Sequence, residues 1–175
     1  MKKGLVSLAV AALVSILAPR AEAKLFALYG SAQGGLQTHG DTSLQAGFEA
    51  GVRVLLFDAY VDYMSLGSSK SVSRAIVGVR GGLGSGWLRL VLRGGVGAIR
   101  ESSGALTTPV GATTLTRTGG VVRGGAALEA HIFPGGWIGP AVDGEAYDFL
   151  GNSLGFSSHG SNLLGVLRLT IEIGL

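Results

Sequence analysis

The chain has 175 residues, 31 glycines, no cysteine and a formal net charge of +3. The lack of cysteine excludes a disulfide framework and a lipid-anchored N-terminal cysteine. Without the leader described next, 11 basic and 10 acidic residues remain, and a net charge of +1 does not indicate nucleic-acid binding.

Residues 1–23 have the features of a secretory signal peptide. Lys2 and Lys3 precede an apolar run from Leu5 to Ala18, and the segment ends in Ala21-Glu22-Ala23. The run is shorter than the roughly 20 apolar residues of a transmembrane helix. We therefore expect cleavage after Ala23 and a mature domain over residues 24–175.

The mature chain alternates with a period of two, which is typical of strands with two unlike faces. Between Leu44 and Leu56 the even positions are apolar, while the odd positions include Gln45, Glu49 and Arg53. The same pattern returns near residues 88–93 and 167–173. It predicts eight strands, at Leu25–Leu36, Ser43–Val54, Phe57–Leu66, Ser73–Leu83, Trp87–Arg100, Gly119–Ile132, Trp137–Phe149 and Leu163–Leu175.

The connections between these strands alternate in length. Three are short and rich in turn formers, around residues 55–56, 84–86 and 133–136. The others are longer and polar: Gln37–Thr42, Gly67–Val72, Glu101–Thr118 and Leu150–Asn162. This layout is typical of an outer-membrane barrel with short periplasmic turns, and the mean hydropathy of +0.45 suits one. The predicted fold is an all-β, eight-stranded antiparallel up-and-down transmembrane barrel in the cell outer membrane.

One face of the predicted strands carries a balanced set of charges. An eight-stranded barrel encloses just enough space for side chains, and buried ions need partners of opposite sign. We therefore place the charged face inside, beside many glycines, and the Leu, Val, Ile, Ala and Phe face outside. The predicted lumen network contains Arg53, Arg74, Arg80, Arg89, Arg93, Arg123 and Arg168, against Glu49, Asp58, Asp62, Glu129, Asp143, Glu145 and Glu172.

The alternative is a soluble periplasmic barrel of the lipocalin sort, whose apolar residues line a ligand cavity. It uses the same alternation with the faces inverted. It also needs more outward Lys, Glu and Ser than this chain supplies.

With its strand pattern and layout, the mature chain resembles the small eight-stranded outer-membrane barrels of the OmpA and OmpX kind. The resemblance implies a monomer with a plugged polar lumen and surface-exposed loops. Its partners would be outer-membrane lipids, lipopolysaccharide and the barrel-assembly machinery. One departure is the last residue, Leu175, where such barrels usually end in an aromatic residue. Interface aromatics are few: Phe57, Trp87, Phe133 and Trp137 on the periplasmic side, Tyr63 and Phe149 on the outer side.

Two constellations could carry chemistry. His131 and Glu129 share a strand face and could bind a metal with Asp143 or Glu145. Since nothing identifies a third ligand, we predict no metal and no cofactor.

The string His159-Gly160-Ser161-Asn162 resembles the motif of outer-membrane lipid A deacylases, with Ser161 as nucleophile and His159 as base. The acid that follows it, Glu172, lies roughly 30 Å away along an extended strand, too far for a triad. We therefore predict no catalytic residue and no enzyme.

The segment from Glu101 to Thr118 is nearly palindromic about Pro109-Val110-Gly111. Its Thr-rich arms predict a hairpin that continues two strands beyond the membrane and offers edges to a surface partner. The predicted function is structural or adhesion-like, with a lipid-modifying enzyme, a narrow channel or a soluble binder as alternatives.

Overall fold

The computed structural model describes residues 25–39, 41–66, 70–108, 111–152 and 158–174. The predicted signal peptide lies outside these ranges. The strands are β1 (Phe26–His39), β2 (Asp41–Val54), β3 (Phe57–Leu66), β4 (Lys70–Ser85), β5 (Leu88–Thr108), β6 (Gly111–Phe133), β7 (Gly136–Asn152) and β8 (Ser158–Gly174).

The eight strands form a closed barrel in which each strand pairs with the next in sequence and β8 pairs with β1. All eight pairings are antiparallel. Within the described ranges no helix is long and apolar enough to cross a membrane. The predicted fold class is confirmed.

Three two-residue turns lie at one end of the barrel, which we call the turn end. Leu55-Leu56 joins the paired residues Val54 and Phe57, and Leu55 adopts a φ of 56°. The other two turns place a glycine in the left-handed region, Gly86 at 72° and Gly135 at 79°. Residues 26 and 174 lie at the same end, because β1 and β8 pair along their lengths.

The opposite end, the open end, differs from the expectation of long loops. The ladder between β1 and β2 continues to the pair His39↔Asp41, and the ladder between β5 and β6 continues to Thr108↔Gly111. Segments expected to be loops are therefore largely strand, because the Thr and Val residues in them favour extended backbone. The hairpin predicted at Glu101–Thr118 is confirmed.

The pleat separates the two faces as the alternation predicts. On β8, Leu167 is 57% exposed and Ile171 is 48% exposed, whereas Arg168 and Thr170 between them are 1% and 0% exposed. The same holds across β4–β6, where Val77, Val96 and Val122 form an exposed row of paired residues. The outer wall of the barrel is apolar and its interior carries the charge.

Not all of the aromatic residues lie on the outer wall, where the predicted interface belts place them. Phe57, Trp87 and Phe133 are exposed near the turn end, and Tyr63 is exposed and stacks on Phe48. Trp137 and Phe149 were expected on the outer wall, and that assignment is wrong. Both have odd numbers in β7 and so share the inward phase of its buried Asp143 and Glu145. Inside the barrel, Trp137 lies under the Arg89 guanidinium and Phe149 is fully buried.

Candidate functional site: the barrel lumen

The fourteen charged residues assigned to the lumen all lie on the inward phase of their strands. Twelve of them are at most 7% exposed, and the side chains of Arg53 and Arg89 each keep 15% exposure near the turn end. Closure of the barrel brings together residues that are far apart in sequence, such as Arg53 and Glu172, which are 119 positions apart. The structure joins most of these residues into two chains of ion pairs.

The first chain is centred on Asp143 of β7. Arg93 donates to both of its oxygens, at 3.0 and 2.7 Å, and Arg123 and Arg168 each donate to Oδ2 at 2.9 Å. Arg93 also donates to Glu49 at 2.6 Å, which links β7 to β2 across the lumen. One carboxylate thus accepts from three guanidinium groups, and charge-assisted hydrogen bonds of this kind are the stronger ones in proteins.

The chain continues toward the open end through Asp62 of β3. Asp62 accepts from Arg123 and, at 3.1 Å, from Arg74. Arg74 in turn donates to Glu145 at 2.8 Å, and Asn162 donates to the same oxygen at 2.8 Å. Eight charged groups from seven strands, β2 to β8, are therefore connected without a break.

The second chain lies near the turn end. Glu172 accepts from Arg53 and, at 3.0 Å, from Arg89. Arg89 also donates to Glu129 at 2.8 Å, and the Arg80 guanidinium lies 3.8 Å from Glu129. This chain ties β8 and β6 to β2, β4 and β5 near the turn end.

Asp58 is the one member of the fourteen that forms no ion pair among the described contacts. It accepts a hydrogen bond from the Tyr29 hydroxyl at 2.8 Å. Arg53 is its direct neighbour across the β2–β3 ladder but pairs with Glu172 instead. Tyr29 also lies under the Arg80 guanidinium, 4.7 Å from ring centroid to Cζ. The Tyr29 ring thus lies between the Asp58 carboxylate and the Arg80 guanidinium.

Two groups of lumen residues were missed by the sequence reading. Apolar side chains interleave with the ions, and two buried clusters contain Tyr29, Tyr60, Val72, Ile76, Ile99, Val121 and Phe149, and Met64, Val91, Ala127, Ala141, Leu164 and Val166. Gln33, Gln37 and Gln45 are also buried on β1 and β2. Gln33, Gln37, Gln45 and the apolar residues share the inward alternation phase of the charged residues, and that phase is the signal in the sequence that could have identified them.

Gly125 shows how tightly the lumen is filled, and the adjacent Gly124 on the outer wall provides a control position. A Cβ at Gly125 would overlap the Asp143 carboxylate, whereas a Cβ at Gly124, on the outer wall, would meet only the Arg93 carbonyl oxygen at 3.7 Å. We expect Gly125→Ala to destabilise the barrel by about 1–3 kcal/mol through overpacking and Gly124→Ala to change little. Urea unfolding of both variants in lipid vesicles measures this, and equal midpoints would contradict a filled lumen.

The structure separates the residues considered for a metal. His131 is exposed at the turn end, with its ring 4.8 Å from that of Trp137. Glu129 pairs with Arg89 and Arg80, and Asp143 pairs with three arginines deeper in the lumen. In the described ranges no three His, Cys, Asp or Glu side chains are grouped to hold a metal ion.

His159 and Ser161 lie on the outer face of β8 near the open end, and both are exposed. Asn162, the next residue of the string, points inward and donates to Glu145. Glu172 lies inside the barrel near the turn end, paired with Arg53 and Arg89. The register places a different acid, Asp148 of β7, opposite His159. The structure therefore brings His159 and Ser161 to one face but keeps Glu172 away from them.

Comparison with known proteins supports the fold. The chain is similar to the N-terminal β-barrel domain of Pseudomonas aeruginosa OprF, with a TM-score of 0.55 and 11% identity over 84% of this chain and 97% of that domain. It is also similar to Neisserial surface protein A, with a TM-score of 0.53 and 13% identity over 86% of this chain and 97% of the other. No protein-family model and no curated protein matches the sequence.

The closed eight-stranded barrel, its apolar outer wall and this structural likeness define the class. The chain has the fold of the small outer-membrane β-barrels, and its exposed apolar wall agrees with the predicted outer-membrane location. In outer-membrane barrels the short turns lie at the periplasmic end and the longer segments at the cell surface.

Proposed function

We propose that this protein is a closed, non-enzymatic barrel that displays the β5–β6 hairpin at the cell surface for interaction with a partner. The observation that carries the proposal is the length of that hairpin. β5 and β6 contain 21 and 23 residues, whereas β3 contains 10. Strands that are this much longer than a membrane span extend beyond the bilayer into the surrounding water.

The lumen supports a structural plug rather than a pore. Ions of the two chains are paired across the barrel, and two clusters of buried apolar side chains share the lumen with them. Ions that are paired and packed in this way brace the wall and leave little room for a continuous water path. The lumen set contains equal numbers of positive and negative groups, seven of each, so the plug has no formal net charge to attract counterions.

The outer wall would contact membrane lipids and lipopolysaccharide. Arg100 is exposed on that wall near the open end, where its charge suits the phosphates of lipopolysaccharide. The outward run Leu167, Leu169, Ile171 and Ile173 of β8 is the part that the barrel-assembly machinery would read.

The display role is tested by shortening the hairpin. Ser103 and Leu115 are paired, so residues 104–114 can be replaced by an Asn-Gly turn without changing the register below. We expect this variant to reach the outer membrane and to shift in gel mobility on boiling like the natural chain. We also expect its cells to lose at least about 10-fold in adhesion to protein-coated plates. Equal adhesion of both strains would contradict the display role.

A further inference from the structure

The β5–β6 hairpin ends in a ribbon whose edges are free among the described residues. The last described pair between β4 and β5 is Lys70↔Ser103, and the last described pair between β6 and β7 is Arg117↔Asn152. Beyond these pairs, and among the residues that the structure describes, the β5 and β6 backbones pair only with each other, as far as Thr108↔Gly111. About six residues of β6, 111–116, form an edge roughly 20 Å long.

The two edges of the ribbon are not equivalent. The ladder shifts register between Ser103 and Leu106, where two residues of β5 oppose one residue of β6. Such a bulge bends the strand that carries it and makes it a poor template for a further strand. The bulge is on β5, so the β6 segment 111–116 is the edge suited to pairing.

This edge lacks the usual protection against pairing. Exposed edges in natural proteins are commonly guarded by Lys or other charges. No charged residue occurs from Ser102 to Thr116, and the ribbon base is closed by the Arg117–Glu101 ion pair at 2.6 Å. A neutral segment does not repel a second copy of itself.

We propose that residues 111–116 of β6 pair with the same segment of a second copy held in a facing membrane. Two barrels in one membrane raise their hairpins in the same direction, so their β6 segments run parallel. A facing membrane reverses the second copy, and the two segments then run antiparallel, which is the slightly more stable pairing. With Thr114 opposite Thr114, Thr113 lies opposite Leu115 and Ala112 opposite Thr116, all pairs that suit a strand.

The inference rests on the proposed display of the hairpin and names its partner. It predicts tethering between membranes while each barrel stays monomeric in its own membrane. A charge introduced at position 114 would lie directly opposite the same charge on the second copy, because residue 114 is at the centre of the pairing.

A charge-swap experiment with the full chain in lipid vesicles tests this pairing. We expect vesicles of the natural chain to tether one another, measured by light scattering and by energy transfer between two dye-labelled populations. Vesicles that all carry Thr114→Lys, or all carry Thr114→Glu, should tether at least 10-fold less. Lys vesicles mixed with Glu vesicles should recover tethering. The matched controls are Thr118→Lys and Thr118→Glu, alone and mixed, at the exposed Thr118 below the free edge.

Each outcome decides the inference. Recovery in the Thr114 mixture, without a similar effect in the Thr118 mixture, supports pairing between identical segments. Natural vesicles that do not tether, or Thr114 variants that tether normally, overturn it. Loss without recovery in the mixture also overturns it and points to a different strand as the partner, which leaves the display role in place. Loss of adhesion on shortening the hairpin tests that role separately.

Discussion

Asp143→Asn is expected to destabilise the barrel by about 3–5 kcal/mol, since removing one partner from a buried ion network leaves uncompensated charge. Asp143 accepts from Arg93, Arg123 and Arg168, and its side chain is 1% exposed. An amide removes the negative charge and turns two N–H groups toward three guanidinium groups. The cost is therefore larger than that of one lost hydrogen bond.

The measurement is urea unfolding in lipid vesicles, followed by tryptophan fluorescence and by gel mobility of unboiled samples. The control is Glu101→Gln, which breaks a partly exposed pair with Arg117 and should cost at most about 1 kcal/mol. Because Asp143 is the partner of Arg168, adding Arg168→Gln to Asp143→Asn should recover part of the loss. If Asp143→Asn and Glu101→Gln cost the same, the network does not brace the barrel.

Val96→Arg is expected to destabilise the barrel by about 2–4 kcal/mol, the cost of a cation on the lipid face at the bilayer midplane. Val96 lies on the outer wall, 60% exposed, between Val77 and Val122 on the neighbouring strands. An Arg here has no partner and must reach past the apolar wall to the headgroups.

The matched control is Leu150→Arg, on the outer wall near the open end, where Leu150 is 84% exposed. Near the interface the same substitution should cost at most about 1 kcal/mol. Unfolding in vesicles compares the two positions. A soluble barrel would tolerate Arg at Val96 as well as at Leu150, so equal costs would exclude the membrane-spanning arrangement.

The strand number and the two faces were predictable from the sequence because both depend on local alternation. Glu49 and Arg53 fall in one phase and Phe48 and Val52 in the other, and a barrel wall has only two sides. Tight turns were predictable for a similar reason, because Gly86 and Gly135 occupy conformations that other residues rarely adopt.

The partners within the lumen were not predictable, because they depend on closure and register rather than on spacing. Arg53 lies beside Asp58 in the ladder yet pairs with Glu172 of β8, which only closure of the barrel brings near. Phe149 and Trp137 were assigned by residue type to the membrane interface, although their phase in β7 places them inside. The open-end strands were underestimated since Thr-rich segments suit a ribbon as well as a loop.

The most direct test of the central claim, an apolar wall in lipid around an ionic lumen, is site-directed spin labelling in reconstituted membranes. The chain has no cysteine, so single Cys substitutions at Val96, Val122 and Leu150 can be labelled without background. We predict that collisions with oxygen, which concentrates in lipid, exceed those with a water-soluble nickel complex at Val96 and Val122, and that Leu150 shows the reverse. Nickel collisions that dominate at Val96 and Val122 would place this wall in water and contradict the account.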